Sequence, residues 1–182
     1  MEGDISSNIR KIVGSERVYT EEPMSRHTTF RIGGNADIFV TPGSISEIEQ
    51  ILKCCEEQSV PYYVIGNGSN LLVGDGGIRG VVIQIGAEFA EVEVGEDNTI
   101  WVQAGCLLSK VASAAMEHAL TGMEFAAGIP GTIGGAVMMN AGAYGGEMKD
   151  IIECVTVLTP DGEGQIIPQD QMEFGYRERI IS

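Results

Sequence analysis

The sequence has little positive charge and few cysteines. Its 182 residues include 11 Lys and Arg against 26 Asp and Glu, which gives a formal net charge of −15. Binding of nucleic acid needs a basic face, and the absence of one argues against a nucleic-acid partner. The four cysteines form no C-x-x-C pair, so neither a zinc ribbon nor a redox dithiol is indicated.

Long apolar runs and a leader-like N-terminus are also absent from the sequence. No apolar run approaches the ~18 residues of a membrane-spanning helix, and residues 1–10 are polar and acidic, unlike a signal peptide. We therefore expect a cytoplasmic protein with no membrane partner. His27 and His118 are far apart and share no pattern with carboxylates, so no metal site is expected.

Glycine, by contrast, is abundant. The chain has 25 glycines, where an average usage of about 7% gives roughly 13. Between the glycine-rich stretches, apolar periodicity predicts helices over residues 5–13 and 109–120. A third helix begins at a capping box formed by Ser44 and Glu47. Its apolar face holds Ile48, Ile51, Leu52 and Cys55, and the inward positions of helix 109–120 are Val111, Ala112, Ala115, Met116 and Ala119.

Short runs of β-forming residues predict strands at 36–40, 61–65 and 81–85, the second of them a buried parallel strand. The first strand, the capped helix and the second strand make a βαβ unit. Hairpins follow at 90–104 and 155–167. The pattern predicts an α+β fold with two lobes: an N-terminal helix (1–20), a first lobe (21–86) and a second lobe (87–182).

The first glycine-rich segment, residues 66–72 (Gly-Asn-Gly-Ser-Asn-Leu-Leu), directly follows a predicted strand. Glycines let consecutive backbone N–H groups face one concave surface, which is how a loop binds a pyrophosphate without lysine. A Walker A loop needs Gly-Lys-Ser/Thr, and a Rossmann fingerprint needs glycine or alanine where Leu71 stands. The segment therefore predicts either pyrophosphate binding or a tight turn that binds no ligand.

The second segment, residues 122–146, has eight glycines in 25 residues, one charge and several large apolar side chains. A flexible linker would be polar and rich in serine. A neutral, glycine-dense backbone is expected where main chain packs against a flat apolar ligand and hydrogen-bonds its edge, as an isoalloxazine ring requires. A glycine-rich core crossing is the alternative.

Four motifs resemble those of the UDP-N-acetylenolpyruvoylglucosamine reductase (UDP-N-acetylmuramate dehydrogenase) family, in the family's order and spacing. They are His-Thr-Thr-Phe-Arg-Ile-Gly-Gly at 27–34, the 66–72 segment, the run at 124–145 and Phe-Gly-Tyr-Arg at 174–177. Together they cover nearly the whole chain.

The resemblance implies a two-lobed FAD-binding domain of the p-cresol methylhydroxylase and vanillyl-alcohol oxidase type, with FAD in one crevice between the lobes, held by backbone amides. The family transfers a hydride from NADPH to FAD and then to UDP-N-acetyl-3-O-(1-carboxyvinyl)glucosamine, which gives UDP-N-acetylmuramate for peptidoglycan and hence cell-wall synthesis. Residues 122–146 contain no His or Cys for covalent attachment, so the FAD is expected to be noncovalent.

Site residues follow from the same resemblance. Arg177 would be catalytic, because its guanidinium stabilises the charge that develops on the substrate's carboxylate-conjugated carbon. Tyr176 and Tyr144 would bind the substrate. The expected cofactor-binding residues are Gly66, Asn67, Gly68, Ser69, Asn70, Leu71, Gly128, Ile129, Pro130, Gly131, Thr132, Gly134, Gly135, Asn140, Ala141 and Gly142.

The chain departs from the family pattern in two ways. Arg179 stands where the family commonly has serine, so hydrogen bonding around Arg177 is expected to differ. The family's proton-donating serine and second catalytic glutamate belong to a C-terminal substrate domain that this chain lacks, and residues 179–182 end inside an apolar, strand-like run. We expect a truncated, monomeric fragment that binds FAD with little or no turnover.

Two alternatives remain open on the sequence alone. The first is another FAD oxidoreductase of the same fold, such as a sugar or alcohol oxidase. The second is a non-catalytic nucleotide-binding module, which would bind an adenine nucleotide without flavin absorbance.

Overall fold

The computed structural model describes residues 4–159 and 162–175, and the chain divides into two compact units between Glu88 and Phe89. Tyr176, Arg177 and Arg179 lie outside the described residues, as do Pro160 and Asp161 in the turn of the second predicted hairpin.

From residue 4 onwards, the first unit is a four-stranded sheet with two α-helices. Its elements are α1 (Ile5–Val13), β1 (Val18–Pro23), β2 (Asn35–Val40), α2 (Ile45–Glu57), β3 (Tyr62–Ile65) and β4 (Ile78–Gln84). The strand order is β1-β2-β4-β3. Strand β1 pairs antiparallel with β2, whereas β4 pairs parallel with both β2 and β3. The predicted βαβ unit is therefore present, with β4 inserted between its two strands.

Each face of this sheet carries its own apolar cluster, because alternate side chains of a strand point to opposite faces. One cluster joins residues of α1 and α2, among them Ile9, Ile51 and Cys55, to β2 and β4. Burial raises the pKa of the Cys55 thiol to about 11, and the prediction that Cys55 is a buried apolar residue is confirmed. The other cluster contains Phe39 and Val82, and it includes Val73 from the glycine-rich loop.

Helix α2 begins as predicted, but its capping differs in one bond. Ser44 Oγ accepts a hydrogen bond from the Glu47 N–H at 3.2 Å. The Glu47 carboxylate accepts from the Gly43 N–H at 2.6 Å and from both terminal nitrogens of Arg17, at 2.8 and 2.9 Å. The Glu47 side chain is therefore used to bind Arg17, a partner thirty residues away that the local pattern could not reveal.

The expected burial of the 61–65 strand was wrong. Strand β3 is parallel as predicted, but it is the edge strand of the sheet, and Tyr62, Tyr63 and Val64 are all exposed. A short run of β-forming residues indicates a strand without indicating its place in the sheet, because that place depends on pairing with distant strands.

The described part of the second unit contains two α-helices and three small antiparallel pairs of strands. Its elements are β5 (Val92–Val94), β6 (Ile100–Val102), α3 (Leu108–Glu117), α4 (Ile133–Met138), β7 (Gly142–Ala143), β8 (Gly146–Glu147), β9 (Cys154–Leu158) and β10 (Gly164–Pro168). Strand β5 pairs with β6, β7 with β8, and β9 with β10. Both predicted hairpins are confirmed.

One core cluster holds this unit together and includes Leu108, Phe125, Val137, Met148 and Met172. Helix α3 contributes a narrow apolar strip, and two predicted inward positions were wrong. Met116 is 74% exposed because it lies beside that strip. Ala119 is exposed because the helix ends at Glu117.

Within the described part of the chain, no helix is both long and apolar enough to span a membrane.

Candidate functional site

The first glycine-rich segment connects β3 to β4 and is fixed to the sheet by its apolar residues. Leu71 and Val73 pack on the cluster that contains Phe39. At the start of the loop, the Gln84 side-chain amide donates to the carbonyl oxygen of Gly66 at 3.2 Å. The loop therefore has a defined position relative to the sheet, which a binding loop needs.

The 27–34 motif packs directly against this loop, although the two are far apart in sequence. Gly68 has a φ of +61°, and a Cβ there would overlap the carbonyl oxygen of His27. Its own carbonyl accepts from the Thr29 N–H at 3.3 Å, and the Gly34 N–H donates to Gly74 at 3.0 Å. Gly68 is thus required by backbone conformation and by contact with this neighbouring segment.

The His27 side chain has a structural partner on each side. Its ring stacks on Phe39 with centroids 3.9 Å apart, and its Nε2 lies 3.0 Å from Glu22 Oε1. These contacts fix the backbone segment on which Gly68 rests. His27 therefore has a structural role: it stabilises the segment that contacts Gly68.

The loop has a row of backbone N–H donors whose acceptors are not found among the described residues. Among the described residues, no oxygen accepts a hydrogen bond from the N–H groups of residues 67–73. The side chains of Asn67 and Asn70 are exposed as well. Consecutive free N–H groups in a turn bind anions, so this loop has the donors that a pyrophosphate needs.

The second segment lies in the second unit and is largely attached to the core. Ile129 packs on the core cluster, and Pro130 is exposed. The carbonyl of Gly131 accepts from the Leu108 N–H at 3.0 Å, and the Gly134 N–H donates to Ala104 at 2.8 Å. Thr132, which is buried, directly precedes α4.

Gly128 and Gly135 differ from the other glycines of this segment. A Cβ at Gly128 would meet no atom within 4 Å, and one at Gly135 would make only an ordinary 3.6 Å contact with Thr132. Neither residue has a positive φ. Their N–H groups donate to no oxygen of the described residues. Nothing in the described chain requires glycine at these two positions, whereas a flat ligand lying against the backbone would.

Asn140, Ala141 and Gly142 are engaged within the protein. The N–H groups of Asn140 and Ala141 donate to the carbonyls of Val137 and Ala136 at 3.1 and 2.9 Å. Gly142 pairs with Glu147 across the β7–β8 hairpin. The direct contact of these three residues with a cofactor stays a prediction, and their observed contacts fix the shape of the hairpin.

Tyr144 lies at the tip of this hairpin and is 99% exposed, with a left-handed φ of +53°. It lines a shallow cavity of about 430 Å³ together with Gly122, Glu124, Phe125 and Gly146. The Glu124 carboxylate accepts a hydrogen bond from the Gly122 N–H at 2.8 Å, at the start of the second segment. Because its ring packs on no described residue, Tyr144 is available to contact a ligand. No group of three or more His, Cys, Asp or Glu suited to a metal occurs among residues 4–159 and 162–175.

Comparison with known proteins gives consistent results. Residues 36–166 match the sequence profile of a family described as FAD binding domain. The chain is 49% identical over 179 residues to a UDP-N-acetylenolpyruvoylglucosamine reductase from Clostridioides difficile, a match that covers 98% of this chain and 59% of that protein. The chain thus spans less than two thirds of the length of this curated relative.

Two solved structures extend the comparison to the fold. A UDP-N-acetylenolpyruvylglucosamine reductase from Thermus caldophilus is similar with a TM-score of 0.75 and 36% identity, over 88% of this chain and 56% of that one. A p-cresol methylhydroxylase structure has a TM-score of 0.69 at 16% identity, over 89% of this chain and 34% of that one. The predicted fold type and the resemblance to the reductases are both confirmed.

Proposed function

We propose that this chain, which belongs to the FAD binding domain family, is the FAD-binding part of an NADPH-dependent UDP-N-acetylenolpyruvoylglucosamine reductase of peptidoglycan synthesis. The observation that carries the proposal is that similarity to the reductases extends along nearly the whole chain. The four motifs lie within that range.

The residues present fit an FAD molecule. Residues 67–71 supply backbone N–H groups that no described residue accepts and that suit the pyrophosphate. Gly128 and Gly135 supply open backbone whose N–H groups donate to no described residue, which suits the edge of the ring system. In our proposal Ile129, Pro130, Gly131, Thr132 and Gly134 form the rest of that surface, and the hairpin at 140–142 borders it.

When bound, FAD supplies hydride transfer between NADPH and the enolpyruvyl double bond of the UDP-sugar. The protein's part is to orient the substrate and stabilise charge. We assign Arg177 to the substrate carboxylate, where a guanidinium stabilises the enolate-like charge as it develops, and Tyr176 and Tyr144 to substrate binding. Loss of such a group costs on the order of 3 kcal/mol in transition-state stabilisation.

The rival proposal is an oxidase of the same fold. The likeness to p-cresol methylhydroxylase is at 16% identity and concerns the fold alone. Residues 122–146 offer no His or Cys for covalent flavin attachment, which favours the reductase.

The visible spectrum of the purified protein is the primary test. We expect flavin bands that are released to the supernatant by heat denaturation, because the FAD is held without a covalent bond. A protein that binds an adenine nucleotide but shows no flavin bands would contradict the proposal in favour of a non-catalytic module.

Turnover distinguishes the reductase from an oxidase. In the full-length protein, NADPH oxidation should depend on UDP-N-acetyl-3-O-(1-carboxyvinyl)glucosamine, and Arg177→Ala should lower kcat by about 100-fold or more. We propose that residues 1–182 alone bind FAD without turnover, because the family's proton donor lies in another domain. Oxidase activity with a simple sugar or alcohol would contradict the assignment.

A further inference from the structure

The side chain of Asn140 is buried and makes three hydrogen bonds. It is 6% exposed and has a left-handed φ of +42° in the turn between α4 and β7. Its Nδ2 donates to Glu147 Oε2 at 2.5 Å and to the carbonyl oxygen of Gly175 at 3.3 Å. Its Oδ1 accepts from the Lys149 N–H at 3.0 Å.

These partners require an amide at this position. Glu147 and the Gly175 carbonyl are acceptors and need a donor, whereas the Lys149 N–H needs an acceptor. Aspartate could serve Lys149, but it would place a second negative charge against two acceptors. The Asn140 amide therefore supplies both the donor and the acceptor that its partners need.

Gly175 is the residue directly before Tyr176 and Arg177. The chain leading to it is held at several points: Gln169 donates to the carbonyl of Lys149 at 3.0 Å, Met172 is completely buried, and Phe174 packs on the core cluster. Within the described residues, the bond from Asn140 to Gly175 is the last of these attachments along the chain. Arg177 follows two residues later, about 7 Å of chain at most.

We propose that Asn140 is a positioning residue that couples the flavin-loop hairpin to the Tyr176–Arg177 motif. Its amide holds the Gly175 carbonyl, the last described point of the backbone before that motif. This inference rests on the proposed function, in which Arg177 faces the carboxylate of the substrate. A displacement of about 1 Å at a reacting group can cost about 100-fold in rate.

The test compares Asn140→Asp with the unaltered full-length protein. Aspartate keeps the bond from the Lys149 N–H, loses both donated bonds and tolerates a left-handed φ. At saturating FAD we expect kcat to fall by about 10-fold to 100-fold, a larger factor than any change in the FAD dissociation constant, with the KM for NADPH changed less than about two-fold. Asn98→Asp is the matched control, because Asn98 is exposed in a turn and has a similar φ of +66°.

A double variant separates positioning from stability. In Asn140→Asp with Glu147→Gln, the new glutamine amide can donate to the new carboxylate, which restores the 140–147 contact and leaves Gly175 without its donor. We expect the Tm to return towards that of the unaltered protein while kcat stays low. If Asn140→Asp alone fails to fold, the kcat and Tm of this double variant test the proposal instead.

Three results would overturn the inference. Recovery of kcat together with Tm in the double variant would show that Asn140 acts only on stability. Normal kcat in a folded Asn140→Asp protein would exclude a positioning role and leave the proposed function intact. An unaltered protein without flavin or turnover would overturn both.

Discussion

At the scale of single residues, two glycines of the candidate site are needed for different reasons. Gly68 has a left-handed φ, and a Cβ there would overlap the backbone of His27, so the protein itself requires glycine. Gly128 has open space around it and no positive φ. Only a molecule that is not part of the described chain would give Gly128 a steric reason to lack a side chain.

Replacing Gly128 with alanine should therefore affect the ligand and not the fold. We expect an unchanged Tm for the flavin-free protein and FAD affinity weakened by about 10-fold to 100-fold, because one methyl group forced into a tight contact costs about 1–3 kcal/mol. Flavin fluorescence titration measures the affinity. Gly164→Ala is the control, since Gly164 is also surrounded by open space but lies on the exposed β10. Equal FAD affinity in both variants would rule out ligand contact at Gly128.

At the scale of elements, the start of α2 is joined to the turn between α1 and β1. Arg17 and Glu47 form a bidentate pair with distances of 2.8 and 2.9 Å. Burial alone would raise the pKa of Glu47, but the hydrogen bonds from Arg17 and the Gly43 N–H outweigh it and lower the pKa. The same pair raises the pKa of Arg17. Charge-assisted bonds of this kind contribute more than neutral ones.

Loss of this pair should destabilise the first unit in a pH-dependent manner. Because the folded-state pKa of Glu47 is lowered, its contribution is complete above its ordinary value of 4.5 and is lost as the pH falls through the folded value. We expect Glu47→Gln to lower the free energy of unfolding by about 1–2 kcal/mol at neutral pH.

Urea denaturation at neutral and acidic pH measures this difference, which should shrink towards zero below the ordinary pKa. Glu56→Gln serves as the control, because Glu56 is exposed in the last turn of the same helix and forms no ion pair with a described residue. A difference for Glu47→Gln that grows as the pH falls would contradict a lowered pKa for Glu47 in the folded protein.

At the scale of the whole molecule, the charge of −15 opposes the approach of an anionic dinucleotide. The candidate loops carry backbone donors and almost no cationic side chains, so the attraction acts only at short range. The long-range field should therefore slow binding without preventing it.

The association rate of FAD with the flavin-free protein should rise with ionic strength. Between about 10 and 150 mM salt the Debye length falls from ~30 to ~8 Å, which screens the repulsion, and we expect a several-fold faster rate in stopped-flow fluorescence. Riboflavin, which is uncharged, is the control and should show no such change. A rate for FAD that falls with salt would reveal a cationic binding surface instead.

The sequence by itself determined the elements and motifs whose signals are local. Helices α1 and α2, the hairpins and the order of the four motifs all depend on residues a few positions apart, and their spacing is present in the sequence. Only the tertiary structure decided that β3 is an exposed edge, that Met116 lies outside the core, that Gly68 rests on His27, and that Asn140 holds Gly175. Each of these depends on a partner distant along the chain, and periodicity carries no information about which distant segments meet.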